Sequence, residues 1–197
     1  MFEISEACER NKEPILQILR RAFAASRHVL EIGSGTGQHA VYFARKLPNL
    51  TWQTTDTGQY LAPLRARIEQ ENAANLPPPL ELDVRRRPWP VKGIDSVFSA
   101  NTLHIMSWQA VESFFQGVGT LLGPGAVLGV YGPFRYAERY TSASNEAFDR
   151  DLRERNAMSG IRDFEAVNAL AVAEGLSLDA DYDMPAHNRT LVWRRDT

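Results

Sequence analysis

The sequence predicts an α/β protein whose seven strands form one doubly wound, mostly parallel sheet with an antiparallel hairpin at the C-terminal end. Short apolar runs of strand length alternate with segments in which apolar residues recur at helical spacing, the pattern of repeated β-α units. The last two runs are joined by only six residues, 183–188, a loop that no helix could occupy. These two strands should therefore pair as a hairpin, which makes one edge strand of the sheet reversed.

The elements are predicted in chain order. Strands are expected at 28–32, 51–55, 80–82, 94–100, 126–131, 176–182 and 189–194. Helices are expected around the apolar residues of 15–23, 40–47, 60–68, 111–122, 145–155 and 163–174. The first helix precedes every strand, and Pro14 should stand in its first turn, where a missing N–H is tolerated. Together these strands and helices predict a Rossmann-like arrangement.

Length and composition predict one domain. The 197 residues and 22.1 kDa suit a single unit, 1–197, able to bury a large core. No repeat or low-complexity block divides the chain, and the proline cluster at 77–79 is too short to be a linker. The stretch that begins at residue 132 is more polar than the repeated units before it.

Charge and composition exclude several classes of protein. Lys and Arg number 22 against 24 Asp and Glu, so no positive field would hold a nucleic-acid backbone. No apolar run approaches the ~20 residues that cross a bilayer, so no membrane partner is expected. Cys8 is the only cysteine, and the N-terminus lacks a secretory signal. We therefore expect a water-soluble, cytoplasmic protein without a metal site.

The strongest local signal is a glycine-rich loop. The run VLEIGSGTG at 29–37 is a buried strand that leads into Gly33, Gly35 and Gly37 and then into a helix. Glycine lets the backbone approach a ligand and take positive φ, and the flanking strand and helix disfavour a mere tight turn. A dinucleotide-binding loop would have its third glycine where Gln38 stands. Glu31, two residues before the first glycine, suits an ammonium or sulfonium better than a pyrophosphate.

Two acids follow the next strands. Asp56 lies 19 residues after Gly37, close to the ~20-residue offset at which an acid meets ribose hydroxyls. Asp83 ends the third strand, where a carboxylate can accept from an adenine amino group. The alternatives are an exposed helix cap for Asp56 and an ordinary loop acid for Asp83. Together the two acids should line one side of a single crevice.

These residues resemble the motifs of class I S-adenosylmethionine-dependent methyltransferases over nearly the whole chain. In that family the glycine loop cradles methionine and ribose, the acid after strand two holds the ribose and the acid after strand three reads adenine. The family's fourth motif corresponds to DSVFSANTLH at 95–104. The resemblance therefore implies S-adenosyl-L-methionine as cofactor, held by Arg10, Asn11, Glu31, Gly33, Ser34, Gly35, Gly37, Asp56, Asp83, Val84 and Asn101.

Four further segments resemble one branch of that family. They are RNKEPI at 10–15, YGPF at 131–134, SNEAFD at 144–149 and GIRD at 160–163. The branch is the uncharacterised one that contains methyltransferase-like protein twenty-six, and it implies no acceptor. The resemblance therefore implies the identity of the cofactor but not that of the substrate.

The N-terminal segment 1–25 is expected to cover the cofactor. Arg10, Asn11 and Lys12 are expected before the first helix, where they would meet the cofactor's carboxylate through charge-assisted hydrogen bonds. The segment 132–163 is expected to fold over the open edge of the sheet as a substrate-side insertion. Its polar residues Asn145, Asp149, Arg162 and Asp163 are explained equally well by surface capping.

Candidate catalytic groups lie where strands four and five should end. They are Asn101, His104 and Tyr131. Methyl transfer from a sulfonium is an in-line displacement, in which orientation alone can supply effective molarities of ~10⁵ to 10⁸ M. A base is needed only if the nucleophile must lose a proton. His104 would take up that proton near neutral pH, or it is simply hydrogen-bonded in the pocket wall.

The leading interpretation is a methyltransferase acting on a small molecule, because the chain carries no appended recognition domain and no basic surface. One alternative is a domain that keeps the cofactor pocket but serves as a scaffold for a partner. Another is a nicotinamide-dependent oxidoreductase, which Gln38 and the antiparallel end disfavour. A peptide acceptor stays open, and the sequence does not indicate the oligomeric state.

Overall fold

The computed structural model describes residues 4–196, so residues 1–3 of the predicted cofactor-covering segment lie outside the described chain. Its strands are β1 (His28–Ile32), β2 (Thr51–Asp56), β3 (Leu80–Glu81), β4 (Ser96–Ala100), β5 (Val127–Gly132), β6 (Phe134–Tyr136), β7 (Arg139–Tyr140), β8 (Arg162–Asp163), β9 (Leu176–Met184) and β10 (Asn188–Arg195). Its helices are α1 (Glu6–Ala22), α2 (Gln38–Lys46), α3 (Gly58–Glu71), α4 (Trp108–Leu121), α5 (Ala143–Arg155) and α6 (Phe164–Ala173). All strands but β6, β7 and β8 were expected from the apolar pattern.

The main sheet has the strand order β3-β2-β1-β4-β5-β10-β9. Strands β1 to β5 are parallel, and the order reverses between β1 and β4. In open α/β sheets this reversal is the place where loops part and a crevice forms at the carboxyl ends of the strands. The predicted fold class, a seven-stranded, mostly parallel sheet with a C-terminal hairpin, is confirmed.

Alternation along the strands sorts the helices onto two faces. Val29 packs with α1, α2 and α3, whereas its neighbour Leu30 packs with α4 and α6. The same alternation divides Leu191 and Val192 on β10 between the two cores. Because successive side chains of a strand point to opposite faces, these apolar runs bury both sides of the sheet.

The position of the reversed strand differs from the prediction. β10 is antiparallel to β5 on one side and to β9 on the other, so it lies inside the sheet, and β9 is the edge strand. The predicted loop 183–188 is also not free of helix, since Pro185–His187 forms one 3-10 turn. Ala186 takes a left-handed φ of +57° there, which lets a single turn fit between two paired strands.

The start of α1 also differs from the prediction. The helix begins at Glu6, and the side chain of Ser5 caps it by accepting a hydrogen bond from the Cys8 N–H at 3.3 Å. Pro14 therefore lies inside the helix rather than in its first turn. A proline there removes one backbone hydrogen bond and costs about 3 kcal/mol, so other contacts must hold the preceding turns.

Residues 132–163 contain a second, small sheet that the sequence pattern did not indicate. Its order is β7-β6-β8, and α5 lies between β7 and β8 in the chain. These strands have only two or three residues each, too few for alternation to be visible. No helix within residues 4–196 is both long enough and apolar enough to span a membrane.

Candidate functional site

The carboxyl ends of the parallel strands bring most of the predicted site residues to one edge of the sheet. β1 leads into the glycine loop, which we define as residues 33–37. β2 ends at Asp56, β4 is followed by Asn101, and Tyr131 lies near the end of β5. The glycine loop is tied to β2, because the N–H groups of Gly33 and Ser34 both donate to the Thr55 carbonyl, at 3.1 and 2.9 Å.

All three glycines of the loop need the absence of a side chain. Gly33, Gly35 and Gly37 have φ values of +75°, +55° and +78°. A Cβ on Gly33 would lie 2.6 Å from Thr102 Cγ2, and one on Gly37 would lie 2.7 Å from Leu64 Cδ1. At Gly35 a Cβ would meet nothing within 4 Å. Side chains therefore pack against the loop at Gly33 and Gly37, whereas the space beside Gly35 is open. This open space allows a ligand to approach the backbone closely.

Asp56 is fixed by backbone groups. Its Oδ2 accepts from the Gly35 N–H at 2.7 Å, and its Oδ1 accepts from the Thr57 N–H at 2.7 Å. Burial raises its pKa, and the two N–H groups act in the opposite direction. A carboxylate has about four acceptor positions. Thr57 Oγ1 also donates to Oδ1, at 3.4 Å, so one position on Oδ2 remains for a hydroxyl donor.

Glu31 is buried beneath the glycine loop. Its Oε2 accepts from Ser34 Oγ at 2.9 Å and from Trp52 Nε1 at 3.1 Å. Burial raises the pKa of this carboxyl to about 7, although both hydrogen bonds lower it. Glu31 thus joins the loop to β2, and near neutral pH it is divided between its protonated and charged forms.

Asp83 is held differently from Asp56. Its carboxylate accepts from the backbone N–H and from Nε of Arg85 at 3.0 Å, and from Nη2 at 2.8 Å. The Arg85 guanidinium holds the pKa of Asp83 at about 2. The carboxylate is therefore charged at neutral pH and partly engaged, and the adjacent Val84 is buried.

The N-terminal end of α1 is fastened to the residue that follows the glycine loop. Gln38 Oε1 accepts from the Ser5 N–H at 2.8 Å, and Gln38 Nε2 donates to Glu9 Oε1 at 2.7 Å. Gln38 Nε2 also lies 3.4 Å from the Ser5 carbonyl. These contacts hold the turns of α1 that precede Pro14. Gln38, which stands where a dinucleotide-binding loop would have its third glycine, thus anchors the N-terminal segment over the glycine loop.

Arg10, Asn11 and Lys12 lie inside α1, not before the first helix as expected. Lys12 pairs with Glu9 on the surface, whereas Asn11 is 4% exposed and faces the sheet. Arg10 pairs with Glu6 at 3.6 Å, and both side chains are largely exposed. The sequence predicts a loop here because proline is common in the first turn of a helix, and Pro14 would then mark the start of α1.

Four side chains, which we call the Tyr131 network, lie together at the end of β5. His39 Nε2 lies 2.7 Å from Asn11 Oδ1, and the imidazole donates because an amide oxygen only accepts. The Asn11 side chain lowers the pKa of the nearby Tyr131 phenol, and Asn188 Nδ2 donates to Tyr131 Oη at 3.0 Å. Burial lowers the pKa of His39 to about 4, so its ring is neutral at pH 7.

A cavity of about 170 Å³ opens beside this network. Its polar lining residues are Arg10, Asn11, Asn101, Tyr131 and Asn188, and its remaining walls are alanine and proline side chains of α1 and of the 3-10 turn. Asn101 has a left-handed φ of +57°, and its N–H donates to the Tyr131 carbonyl at 2.8 Å. Two of the three predicted catalytic residues, Asn101 and Tyr131, therefore line one cavity.

His104 lies apart from that cavity. Its ring is edge-on to Phe148 with centroids 5.5 Å apart, and its carbonyl accepts from the Gly160 N–H at 2.8 Å. Burial, with the nearby Arg162 charge, lowers its pKa to about 4. This value disagrees with the expectation that His104 takes up a proton near neutral pH, because desolvation disfavours the imidazolium.

The polar residues of the insertion 132–163 form hydrogen bonds within it and to neighbouring loops. Asp149 accepts from Tyr140 Oη and from Arg153 Nε, each at 2.8 Å. Arg162 Nε donates to the Leu103 carbonyl at 3.1 Å, which fixes the loop after β4. Asp163 pairs with Arg135. Asn145 Nδ2 donates to the His187 carbonyl at 3.0 Å, so α5 also supports the turn that walls the cavity.

Sequence reasoning missed three residues that organise the site: His39, Asn188 and the anchoring role of Gln38. His39 and Gln38 are ordinary helix residues by pattern, and Asn188 merely begins a strand. Their partners lie between 28 and 57 residues away in the chain, so no local motif marks them. Among residues 4–196 no group of three His, Cys, Asp or Glu side chains is placed to hold a metal ion.

Comparison with known proteins agrees with this architecture. A family model described as "Protein of unknown function (DUF938)" matches residues 2–195. An O-methyltransferase family protein from Burkholderia thailandensis has a similar fold, with a TM-score of 0.82 at 17% identity over 94% of this chain and 56% of that one. The apo S-adenosylmethionine-dependent methyltransferase SibL gives 0.80 at 19% over 97% and 56%.

PigF, solved with SAH, gives a TM-score of 0.79 at 15% identity over 92% of this chain and 55% of PigF. The chain thus spans little more than half the length of these three proteins. At such low identity the likeness establishes a shared fold.

Proposed function

We propose that this chain, which belongs to the DUF938 family of proteins of unknown function, is an S-adenosyl-L-methionine-dependent methyltransferase with a small-molecule acceptor. The observation that carries the proposal is the junction of the open glycine loop with Asp56, whose two oxygens are aimed by backbone N–H groups. Within the methyltransferases we place the chain in the branch of methyltransferase-like protein twenty-six. We treat 1–197 as one catalytic domain.

The residues at the strand ends suit the cofactor. The open space at Gly35 admits the part of the cofactor that joins the ribose to the methionine, and Asp56 keeps an acceptor position on Oδ2 for a ribose hydroxyl. Gly33, Ser34, Gly37 and Glu31 shape the loop beneath it. Asp83 and Val84 would border the adenine, with Arg85 sharing the Asp83 carboxylate.

On the methionine side we assign Asn101 and the two α1 residues, Arg10 and Asn11. Arg10 supplies the positive charge, and Asn11 lines the same cavity beside Tyr131. When bound, S-adenosyl-L-methionine supplies an electrophilic methyl group on a sulfonium. The walls formed by α1, β5 and the 3-10 turn would align the acceptor with the methyl group, and alignment is the main catalytic contribution in an in-line displacement.

We assign Tyr131 and Asn101 to orienting the acceptor. Burial raises the pKa of Tyr131, so its phenol keeps its proton at neutral pH and donates a hydrogen bond. His104 is neutral but weakly basic at its pKa of about 4, and we assign it to the wall beside the insertion 132–163. This arrangement favours an acceptor atom that is already nucleophilic without losing a proton.

Calorimetric titration with S-adenosylhomocysteine, with NAD as control ligand, tests the cofactor assignment. We expect saturable binding of S-adenosylhomocysteine alone. Asp56→Ala should weaken it by about 1 to 3 kcal/mol, which is roughly 5- to 150-fold, because the ribose acceptor is lost. The matched control is Asp179→Ala, which removes an exposed carboxylate on β9 that pairs with Arg194.

Unchanged affinity in Asp56→Ala, or tighter binding of NAD than of S-adenosylhomocysteine, would contradict the assignment. Methyl transfer is then tested with methyl-labelled cofactor and a fractionated metabolite extract. Saturable cofactor binding without label in any fraction would favour a cofactor-binding scaffold over an enzyme.

A further inference from the structure

His104 is a buried residue whose ring nitrogens are unused. It is 5% exposed, yet neither nitrogen has a hydrogen-bond partner among residues 4–196. The nitrogens are not sealed off either, because they do not belong to the fully enclosed polar atoms of the described chain that lack a partner. Buried polar groups are normally hydrogen-bonded, so an unpartnered one calls for an explanation. The imidazole therefore faces open space that a ligand can enter.

This space lies against Gly132, the last residue of β5. A Cβ built on Gly132 would lie 3.7 Å from His104 Nδ1, and apart from its chain neighbours it would meet no other described atom within 4 Å. The missing side chain thus leaves room between the end of β5 and the ring nitrogen. Because Gly132 directly follows Tyr131, this room adjoins the sheet edge at which the proposed reaction takes place.

Exposed apolar side chains lie beside the imidazole. Ile105, Phe148 and Met158, which we call the apolar rim, are each more than a third exposed. The Phe148 ring is edge-on to His104, and the two residues after Met158 donate hydrogen bonds of 2.8 Å to the Ile105 and His104 carbonyls. Apolar side chains gathered at the surface in this way are typical of a binding surface, and aromatic rings prefer such edge-on neighbours.

The charged groups that act on the imidazole, Arg162 and Asp149, are already engaged. Arg162 Nε donates to the Leu103 carbonyl at 3.1 Å, and its Nη2 donates to the Met158 carbonyl at 3.0 Å. Asp149 accepts from two side chains of the insertion, each at 2.8 Å. The two charges are also of opposite sign. A charged ligand would therefore lose its hydration here without gaining a counter-ion.

We propose that His104 and the apolar rim bind the methyl acceptor, and that the acceptor is an uncharged aromatic compound whose ring packs against Phe148 and whose polar group hydrogen-bonds to His104. The inference rests on the proposed function in taking the occupant of this edge to be the methyl acceptor. A neutral imidazole offers one donor and one acceptor, so a hydroxyl, an amino or a carbonyl group satisfies it. His104 thus holds the acceptor without taking up a proton.

Benzene derivatives of similar size test this chemistry. Benzyl alcohol is polar and uncharged, benzoate is an anion, benzylammonium is a cation, and ethylbenzene has no polar group. Their affinities for the full chain are measured by saturation-transfer NMR, with and without saturating S-adenosylhomocysteine. We expect benzyl alcohol to bind at least about threefold more tightly than each of the others, since only it both fits the uncharged rim and satisfies His104. The ring-nitrogen resonances of His104 should shift with benzyl alcohol and not with ethylbenzene.

Two variants separate the hydrogen bond from the ring contact. His104→Phe keeps a ring but removes both nitrogens, so it should weaken benzyl alcohol by about 3- to 10-fold and leave ethylbenzene unchanged. Phe148→Ala should weaken both compounds alike. The matched controls are His28→Phe, at an exposed position at the amino end of β1, and Val172→Ala, at an exposed apolar position on α6. Both controls should bind the compounds as the unaltered protein does.

Gly132→Ala places a methyl group in the room before His104 Nδ1. The 3.7 Å separation is an ordinary contact and Gly132 has no left-handed φ, so the variant should fold normally and lose affinity for benzyl alcohol. Gly129→Ala is the control, because its Cβ would also meet only ordinary contacts, of 3.6 to 3.8 Å, but in the core beneath α1. Urea unfolding verifies that both variants are folded.

Tighter binding of either charged compound than of benzyl alcohol overturns the proposal. So does benzyl alcohol binding that His104→Phe and Gly132→Ala both leave unaltered. Binding of S-adenosylhomocysteine without binding of any of the four compounds also overturns it, and leaves the proposed function standing. Conversely, benzyl alcohol binding that depends on His104 in a protein without affinity for S-adenosylhomocysteine would keep the site and reject the proposed function.

Sedimentation velocity tests the other possible occupant of the apolar rim, a second copy of the chain. We expect Phe148→Ala to leave the oligomeric state unchanged. A dimer that this substitution dissociates would assign the rim to the second copy and overturn the proposal.

Discussion

The glycine-loop end of the crevice and the Tyr131 end hold their polar groups by different means. Asp56 is aimed by the backbone N–H groups of Gly35 and Thr57, and the loop itself bonds to the β2 backbone. Tyr131 accepts a hydrogen bond from the side chain of Asn188, and Asn11, from the opposite end of the chain, lines the same cavity. The first end is a property of a local turn, whereas the second exists only after α1 and β10 have packed on β5.

This difference separates two kinds of dependence on sequence. A backbone-held group tolerates changes in its neighbours' side chains but not in their φ angles. A side-chain network tolerates neither loss nor reversal of any amide, because each member fixes the direction of the next. Mutations at the two ends should therefore fail in different ways.

The largest effect is expected from adding a methyl group to the glycine loop. Gly33→Ala combines left-handed strain of about 1 to 2 kcal/mol with overpacking of about 1 to 3 kcal/mol against Thr102, so it should destabilise the fold by about 2 to 5 kcal/mol. Gly35→Ala has the strain alone and should lose about 1 to 2 kcal/mol. Urea unfolding measures both.

Gly93→Ala is the matched control for Gly35→Ala. Gly93 has a φ of +68° and also has nothing within 4 Å of a Cβ, but it lies away from the site. Both variants should lose similar stability, and only Gly35→Ala should lose affinity for S-adenosylhomocysteine. Equal affinity in the two variants would mean that the open centre of the loop is not a ligand cradle.

The next effect concerns Glu31 and depends on pH. Burial raises its pKa from the ordinary 4.5 to about 7, so the folded protein keeps a proton that the unfolded chain releases. The stability it contributes is full below pH 4.5 and is lost as pH rises through 7, a change of about 3 kcal/mol.

Glu31→Gln has no such proton to lose and keeps an oxygen for Trp52 and Ser34. Its stability relative to the unaltered protein should therefore rise by about 3 kcal/mol between pH 4.5 and 8, measured by urea unfolding. The low pKa values of His39 and His104 are common to both proteins and cancel in the difference. A difference that is constant with pH would show that Glu31 is charged throughout.

The smallest effect is expected at the Tyr131 end. Asn11→Ala leaves His39 Nε2 without its acceptor in a partly buried place and should destabilise the fold by about 1 to 3 kcal/mol. Gln17→Ala, at an exposed position on the same helix, is the control. Equal stability of the two variants would mean that the network does not hold α1.

The sequence predicts features that are local in the chain better than contacts between residues that are distant in it. The seven strands of the main sheet, the positive φ of the three glycines and the position of Asp56 at the end of β2 are local features. The apolar runs predict the strands, and the run at 29–37 with its spacing to residue 56 predicts the glycine loop and the acid. The early start of α1 was missed because Gln38 and His39 stabilise turns that Pro14 would otherwise weaken. The small sheet was missed because β7 and β8 are two residues long.

Pro14 also has a mechanical consequence. It has no N–H to donate to the Arg10 carbonyl, so α1 lacks one rung of its backbone ladder between residues 6–13 and residues 15–22. Residues 15–22 are packed into the core through Ile15, Leu16 and Leu19, whose side chains are fully buried. The earlier half carries Arg10 and is fastened to α2 by side chains. We therefore expect α1 to bend at Pro14. Residues 6–13, which face the crevice, would then move relative to residues 15–22.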